Sequence, residues 1–74
     1  MTILDILSEI SIKLRNSQIE NYQLEANSLI SFVCKLDPSF IISHPEKKIS
    51  KPQEKDIKKL AKLRCQGWPL AYLI

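Results

Sequence analysis

The chain begins with apolar residues repeated at intervals of three and four. These residues are Ile3, Ile6, Leu7, Ile10 and Leu14. Their spacing predicts an amphipathic helix over residues 3 to 15, and Thr2 with Asp5 three residues later forms a capping-box pattern at its start. Ile12 falls on the polar side, where it is either a second contact surface or a single exposed isoleucine; we prefer the second interpretation.

A second helix is predicted over residues 22 to 36, with Asn21 as its N-cap. Its apolar positions cover a wide arc of the helix surface. They are Tyr22, Ala26, Leu29, Ile30, Phe32, Val33, Cys34 and Leu36. A helix that is apolar over so much of its circumference contacts neighbours on more than one side. We therefore expect it in the middle of a helical bundle.

A short third helix is predicted over residues 38 to 43. Asp37 supplies an N-cap side chain, and Pro38 suits the first helical position because its missing N–H has no intrahelical partner there. The helix should end at His44, because the residue before Pro45 is driven out of the helical region.

A fourth helix is predicted over residues 51 to 66, behind a capping box formed by Ser50 and Gln53. Gly67 suits the left-handed position that follows a helix C-terminus. A fifth, short helix is expected over residues 69 to 74. With one glycine and no strand-like alternation, the sequence predicts an all-α fold, a small bundle of five helices in one domain.

The fourth helix carries lysines along one face. They are Lys55, Lys58, Lys59 and Lys62. Such a face either follows a phosphate backbone or is a solvated outer surface. The second interpretation is preferred, because no aromatic residues interleave with the lysines to stack on bases. Lys58 and Lys62 are kept as candidate partner contacts.

Arg64 falls within the apolar stripe of the fourth helix, where an unpaired charge would be costly. Glu25 lies at the edge of the apolar arc of the second helix and is the natural counter-charge. We predict a partly buried ion pair between the two residues, joining the two helices. The alternative is that Arg64 docks an acidic partner.

Composition narrows the class of protein. The 74 residues are 45% hydrophobic and 26% charged, which excludes a disordered chain, and a net charge of +3 is too small for a dedicated nucleic-acid binder. Cys34 and Cys65 lack metal-ligand spacing, so no metal site is predicted. Without a signal sequence or an apolar membrane span, we expect a cytoplasmic monomer with reduced thiols.

No catalytic constellation is visible. His44 is the single histidine and has the position of a capping or packing residue, and neither cysteine has a histidine at helical spacing. Gly67 is the single glycine, whereas phosphate-cradling loops need several. We therefore predict no catalytic, cofactor-binding or metal-binding residues in this segment.

Several segments in order resemble the amino-terminal domain of the bacterial protein-(glutamine-N5) methyltransferase family, which modifies peptide chain release factors. The resemblance covers residues 3 to 74. It rests on Leu24-Glu25-Ala26, the turn at Asp37, His44-Pro45-Glu46, Arg64, Gly67 and Pro69-Leu70-Ala71-Tyr72. The chain departs from the family pattern at Asn27, Ser28, Leu63, Cys65 and Trp68.

The resemblance implies a helical bundle that precedes a linker and a Rossmann-like catalytic domain. That catalytic domain would bind S-adenosylmethionine through a glycine-rich loop and hold the glutamine of a Gly-Gly-Gln motif at an Asn-Pro-Pro-Tyr motif. Neither motif lies in this sequence, so no catalytic residue is transferred to it. The resemblance implies that this segment docks the release factor and contacts its own catalytic domain.

The apolar stretch QGWPLAYLI at residues 66 to 74 is interpreted as an interruption of a longer chain. Trp68 belongs to the core, contacts a linker or contacts a partner; packing is the preferred interpretation. The alternative to the methyltransferase hypothesis is a free-standing helical adaptor or RNA-contacting module that uses the lysine face.

Overall fold

The computed structural model describes all 74 residues, and its regular structure is helical. Four α-helices are followed by one turn of 3₁₀ helix. They are α1 (Ile3–Asn16), α2 (Tyr22–Cys34), α3 (Pro38–Ser43), α4 (Lys51–Cys65) and the 3₁₀ turn Leu70–Tyr72. The all-α class is confirmed. None of the helices is both long and apolar enough to cross a lipid bilayer.

Helix α2 lies in the middle of the bundle and packs against α1, α3 and α4. Ala26, Leu29 and Ile30 on this helix are fully buried. The prediction that a wide apolar arc requires several neighbours is confirmed. Phe32 is the exception within that arc, because 51% of it is exposed.

One hydrophobic core holds the helices together. α1 contributes the stripe that its periodicity predicted, and α3 and α4 contribute fewer side chains. The buried set is Ile3, Ile6, Ile10, Leu14, Ala26, Leu29, Ile30, Ile41, Ile49, Ile57 and Ala61. Most of its members are β-branched isoleucines, whose restricted side chains lose little rotamer freedom on burial.

Local side-chain hydrogen bonds fix where three of the four helices begin. Both predicted capping boxes are confirmed, at Thr2 for α1 and at Ser50 for α4. At the start of α3, Asp37 Oδ1 accepts from Ser39 N at 2.9 Å. The prediction for α2 is wrong in one respect. Asn21 is its N-cap residue, but its side chain makes no capping hydrogen bond, because the backbone there is not extended (ψ 45°).

A residue in the left-handed conformation follows three of the helices. These residues are Gln18 (φ 63°), Lys35 (φ 55°) and Gly67 (φ 103°). In each case the next N–H bonds back to a carbonyl of the last helical turn, as Leu36 N does to Ser31 O at 3.2 Å. Helix α2 therefore ends two residues before its predicted limit.

The predicted fifth helix over residues 69 to 74 is wrong. Pro69 is extended (ψ 143°), and only the three residues Leu70–Tyr72 are helical, in a 3₁₀ turn. Its hydrogen bonds span three residues, from Tyr72 N to Pro69 O at 3.0 Å and from Leu73 N to Leu70 O at 2.9 Å. So short a segment cannot offset the cost of nucleating an α-helix, whereas a single tighter turn still buries Leu73.

The beginning of the chain is fastened to the loop between α3 and α4. Ile3 N donates to Lys47 O at 2.8 Å and Leu4 N to Pro45 O at 2.9 Å, so this loop satisfies first-turn N–H groups of α1. Thr2 and Lys48 form an isolated antiparallel bridge. The loop is thereby held against the first helix.

A substitution at Gly67 tests whether the positive φ after α4 requires glycine. A Cβ atom at this position would meet no atom within 4 Å, so the cost of a substitution comes from its positive φ alone. We expect Gly67→Ala to lower the free energy of unfolding, measured by urea titration, by about 1 to 2 kcal/mol. Lys35→Gly is the matched control and should shift stability in the opposite direction. Equal losses in both variants would contradict this account.

The cap of α3 predicts a dependence on pH. The hydroxyl and backbone N–H of Ser39 lower the pKa of Asp37 below its ordinary value. Its stabilising contribution is therefore present above the pKa of the unfolded carboxyl, about 3.9, and is lost as pH falls through the lower folded-state pKa. Asparagine keeps the accepting oxygen but does not titrate.

The advantage of the wild-type chain over Asp37→Asn should thus shrink from about pH 5 to about pH 2 in urea titrations at successive pH values. Asp56→Asn is the control, because Asp56 is exposed and makes no ion pair. A pH-independent difference between wild type and Asp37→Asn would show that the charge of the cap does not matter.

Candidate functional site

The titratable side chains do not assemble into a reactive centre. No three histidine, cysteine, aspartate or glutamate side chains lie together in a metal-binding arrangement. Cys34 and Cys65 are free thiols, and burial raises the pKa of Cys34, which disfavours its reactive thiolate form. The ring of His44 stacks on Phe40 with centroids 4.0 Å apart, at the C-terminal end of α3. The remaining candidate features are surfaces of the bundle.

The structure brings Glu25 of α2 and Arg64 of α4 together. Arg64 Nε donates to Glu25 Oε1 at 2.7 Å, and Nη2 donates to Oε2 at 3.4 Å. The side chains are 15% exposed for Glu25 and 23% exposed for Arg64. The hydrogen bond that Arg64 donates to Glu25 raises the pKa of Arg64 further above its already high value. This two-point contact fixes the guanidinium plane and links the two helices.

Trp68 lies beside this ion pair but is not a core residue. Arg64 Nη1 donates to the carbonyl oxygen of Trp68 at 3.4 Å, while 50% of the tryptophan is exposed. The preferred interpretation of Trp68 as a packing residue is therefore wrong. The reversal at Gly67 and the extended Pro69 hold the main chain of Trp68 at the edge of the bundle and leave its ring partly solvated.

The two lysines kept as partner contacts have different environments. Lys58 Nζ lies 3.0 Å from Glu54 Oε1 and 3.3 Å from Glu9 Oε2, so its charge is already matched within α4 and by α1. These two carboxylates raise its pKa. Lys62 is exposed and makes no ion pair. Of this pair, Lys62 is the lysine whose charge is available to a partner.

The lysines of α4 have no aromatic residue among them in sequence, but the fold brings an aromatic side chain of α2 next to the lysine face. Phe32 of α2 lines a shallow depression of about 360 Å³ with Lys59 and Leu60 of α4. Asp56 also lines it, so the charge there is mixed. Sequence reasoning missed this pairing, because Phe32 belongs to another helix and its spacing assigns it to the core.

A larger groove of about 760 Å³ lies where α1, α2 and α3 meet. Three of its apolar side chains are strongly exposed: Ile12 (50%), Leu24 (69%) and Ile42 (72%). We call this site the α1–α2–α3 groove. Its apolar lining comprises Leu7, Ile12, Tyr22, Leu24, Pro38 and Ile42. Ile12 is exposed as expected, yet it is part of a shared apolar surface and not an isolated residue.

The polar lining of the groove is almost uncharged. Arg15 is the single charged residue among the residues that line it, and no carboxylate does so. Asn27 is buried at the base, where Nδ2 donates to Pro38 O at 3.4 Å and ties α2 to the start of α3. Sequence reasoning missed the groove, although Ile12, Leu24 and Ile42 each lie outside the core-facing positions of their helices.

Sequence similarity to known proteins identifies the family of the chain. The sequence profile described as the PrmC N-terminal domain matches residues 5–74. The chain belongs to this family. The release factor glutamine methyltransferase of Buchnera aphidicola subsp. Acyrthosiphon pisum (strain APS) is 38% identical over 58 residues, which are 78% of this chain and 21% of that relative. No solved structure matches the chain.

The match to the PrmC N-terminal domain includes every surface feature described above. The Glu25–Arg64 pair, the lysine face and the α1–α2–α3 groove all lie within residues 5–74. The chain spans about a fifth of the length of the curated relative. The chain is therefore similar to one domain of a longer enzyme.

The ion pair leads to a double-mutant test. We expect Glu25→Ala and Arg64→Ala each to lower the free energy of unfolding by about 1 to 3 kcal/mol, because each leaves the other charge partly buried and unpaired. The double variant should lose less than the sum of the two.

Urea titration measures all three losses. Glu20→Ala and Lys62→Ala are matched controls at exposed positions without ion pairs, and each should change stability by less than about 0.5 kcal/mol. Equally small changes for Glu25→Ala and Arg64→Ala would mean that the pair contributes nothing to the fold.

Proposed function

We propose that this chain is the substrate-docking domain of an S-adenosylmethionine-dependent methyltransferase. The substrate would be the glutamine of the Gly-Gly-Gln motif in peptide chain release factors. The observation that carries the proposal is the match to the PrmC N-terminal domain over residues 5–74, almost the whole chain. The named activity of the Buchnera relative supports the same assignment.

The structure is suited to docking and not to chemistry. It presents an apolar groove and a half-exposed tryptophan but no assembled acid, base, nucleophile or metal site. The residues present do not fit S-adenosylmethionine either, because Gly67 is the single glycine and it terminates a helix. Cofactor binding and methyl transfer are thus assigned to a separate catalytic domain, within a cytoplasmic protein.

That assignment has a direct genetic test. We expect the reading frame to continue beyond Ile74 into a glycine-rich strand-turn-helix segment and an Asn-Pro-Pro-Tyr motif. Sequencing of the genomic region downstream of the Ile74 codon tests this expectation. A natural stop codon after Ile74 would contradict the assignment to a methyltransferase.

The docking role predicts measurable binding. We expect the 74-residue chain to bind a purified peptide chain release factor as a monomer in isothermal titration calorimetry. Burial of apolar surface should give a negative heat-capacity change between about 10 and 30 °C. A denatured-and-alkylated release factor is the control for non-specific hydrophobic contact. The absence of binding by both this chain and the full-length enzyme would remove the docking role.

The second candidate is an RNA-contacting module, favoured by one observation. Phe32 lines the same depression as Lys59, so an aromatic ring for base stacking is present near a cation of the lysine face. A 12-nucleotide oligouridine is the appropriate probe, with a salt titration of its affinity. Affinity that falls steeply with salt and is lost in Phe32→Ala would support this candidate, whereas salt-independent or absent binding would exclude it.

A further inference from the structure

The α1–α2–α3 groove is lined by apolar side chains whose exposure is not explained by the pattern of any single helix. Ile12, Leu24 and Ile42 come from three different helices, and each is at least half exposed. Single exposed apolar residues are ordinary, but exposed apolar residues that converge on one concave site mark a surface for interaction. Their convergence is a property of the tertiary structure.

The charge of the groove indicates which partner suits it. Arg15 is the single charged lining residue and lies in the last turn of α1. Tyr22, Gln23 and Leu24, which form the first turn of α2, also line the groove, and no side chain caps that helix. Glu25 in that turn places a carboxylate at the helix N-terminus, so Arg15 is the positive charge that the groove itself offers. The groove is therefore apolar, with one cationic side chain in its lining.

We propose that the α1–α2–α3 groove binds an amphipathic helix of a partner protein. The apolar face of that helix would lie against Ile12, Leu24 and Ile42, and an acidic residue at its edge would pair with Arg15. The inference rests on the proposed docking role only in assigning the helix to a partner protein. Helices bind such grooves through side chains spaced at i, i+3 or i+4, and i+7.

Two other occupants fit less well. A second copy of this chain that docked groove against groove would offer no lining carboxylate to pair with Arg15. A small apolar acid would need an enclosing pocket, because small-ligand sites bury most of the ligand surface, whereas this groove is open along the surface of three helices.

The probe is a synthetic 14-residue helical peptide with leucines at i, i+4, i+7 and i+11 and glutamates at the flanking positions. The matched peptide carries lysines in place of the glutamates. Binding is measured by fluorescence anisotropy, and the site is mapped by amide chemical-shift changes. We expect the glutamate peptide to bind at least tenfold more tightly and to shift the amides of Ile12, Leu24 and Ile42.

Matched variants separate the groove from general surface effects. Arg15→Glu should weaken the glutamate peptide at least tenfold and strengthen the lysine peptide, whereas Lys13→Glu, in the same turn of α1, should change either by less than threefold. Leu24→Ser should weaken binding tenfold. Leu4→Ser, at a residue 54% exposed but outside the groove, should leave binding unchanged.

Binding mapped to the lysine face, equal effects of Arg15→Glu and Lys13→Glu, or no binding would overturn the inference. Self-association blocked by Leu24→Ser would also overturn it, by assigning the groove to a second copy. Should a release factor bind wild type and these variants equally, the groove inference fails and the docking role stands. Should the glutamate peptide bind as expected and no release factor bind, the groove inference stands and the docking role fails.

Discussion

The packing of α2 against α1, α3 and α4 is the contact on which the rest of the structure depends. Ala26, Leu29 and Ile30 are fully buried on this helix, so displacing it would expose the centre of the single core. A chain of 74 residues has no second core to compensate. The flanking helices are therefore positioned by α2, and so are the surfaces between them.

The first turn of α2 contributes one residue to the polar ion pair and others to the apolar groove. Leu24 lines the α1–α2–α3 groove, and Glu25 pairs with Arg64 of α4 at 2.7 Å. Consecutive residues point about 100° apart around a helix, so one turn serves both contacts. The ion pair fixes how α4 sits against α2, while Arg15 of α1 supplies the one charge in the lining of the groove.

Membership of the PrmC N-terminal domain family gives these surfaces a context. The proposed docking role would need shape and complementary charge, and it would not need groups with strongly shifted pKa values in a cleft. The lowered pKa values of Asp5 and Asp37 arise at helix caps. The lowered pKa of Glu54 and the raised pKa values of Lys58 and Arg64 arise in ion pairs. These charged groups therefore cap helices or join residues within and between them.

The sequence by itself determined the helices, because capping boxes, prolines and apolar periodicity act within a few residues of each other. Thr2, Ser50 and Gly67 mark helix limits that the structure reproduces, and the charge of Arg64 on an apolar stripe indicated a need for Glu25. The tertiary structure alone decided the rest. The extended Pro69 limits the last segment to one 3₁₀ turn.

Residues far apart in the chain create the features that sequence reasoning missed. The loop at Pro45 and Lys47 fastens the first residues of the chain, and Phe32 reaches the lysine face. Ile12, Leu24 and Ile42 form one groove only when their three helices are packed together. Local patterns specify each helix, but they do not specify which exposed residues become neighbours, because that depends on how the helices cross.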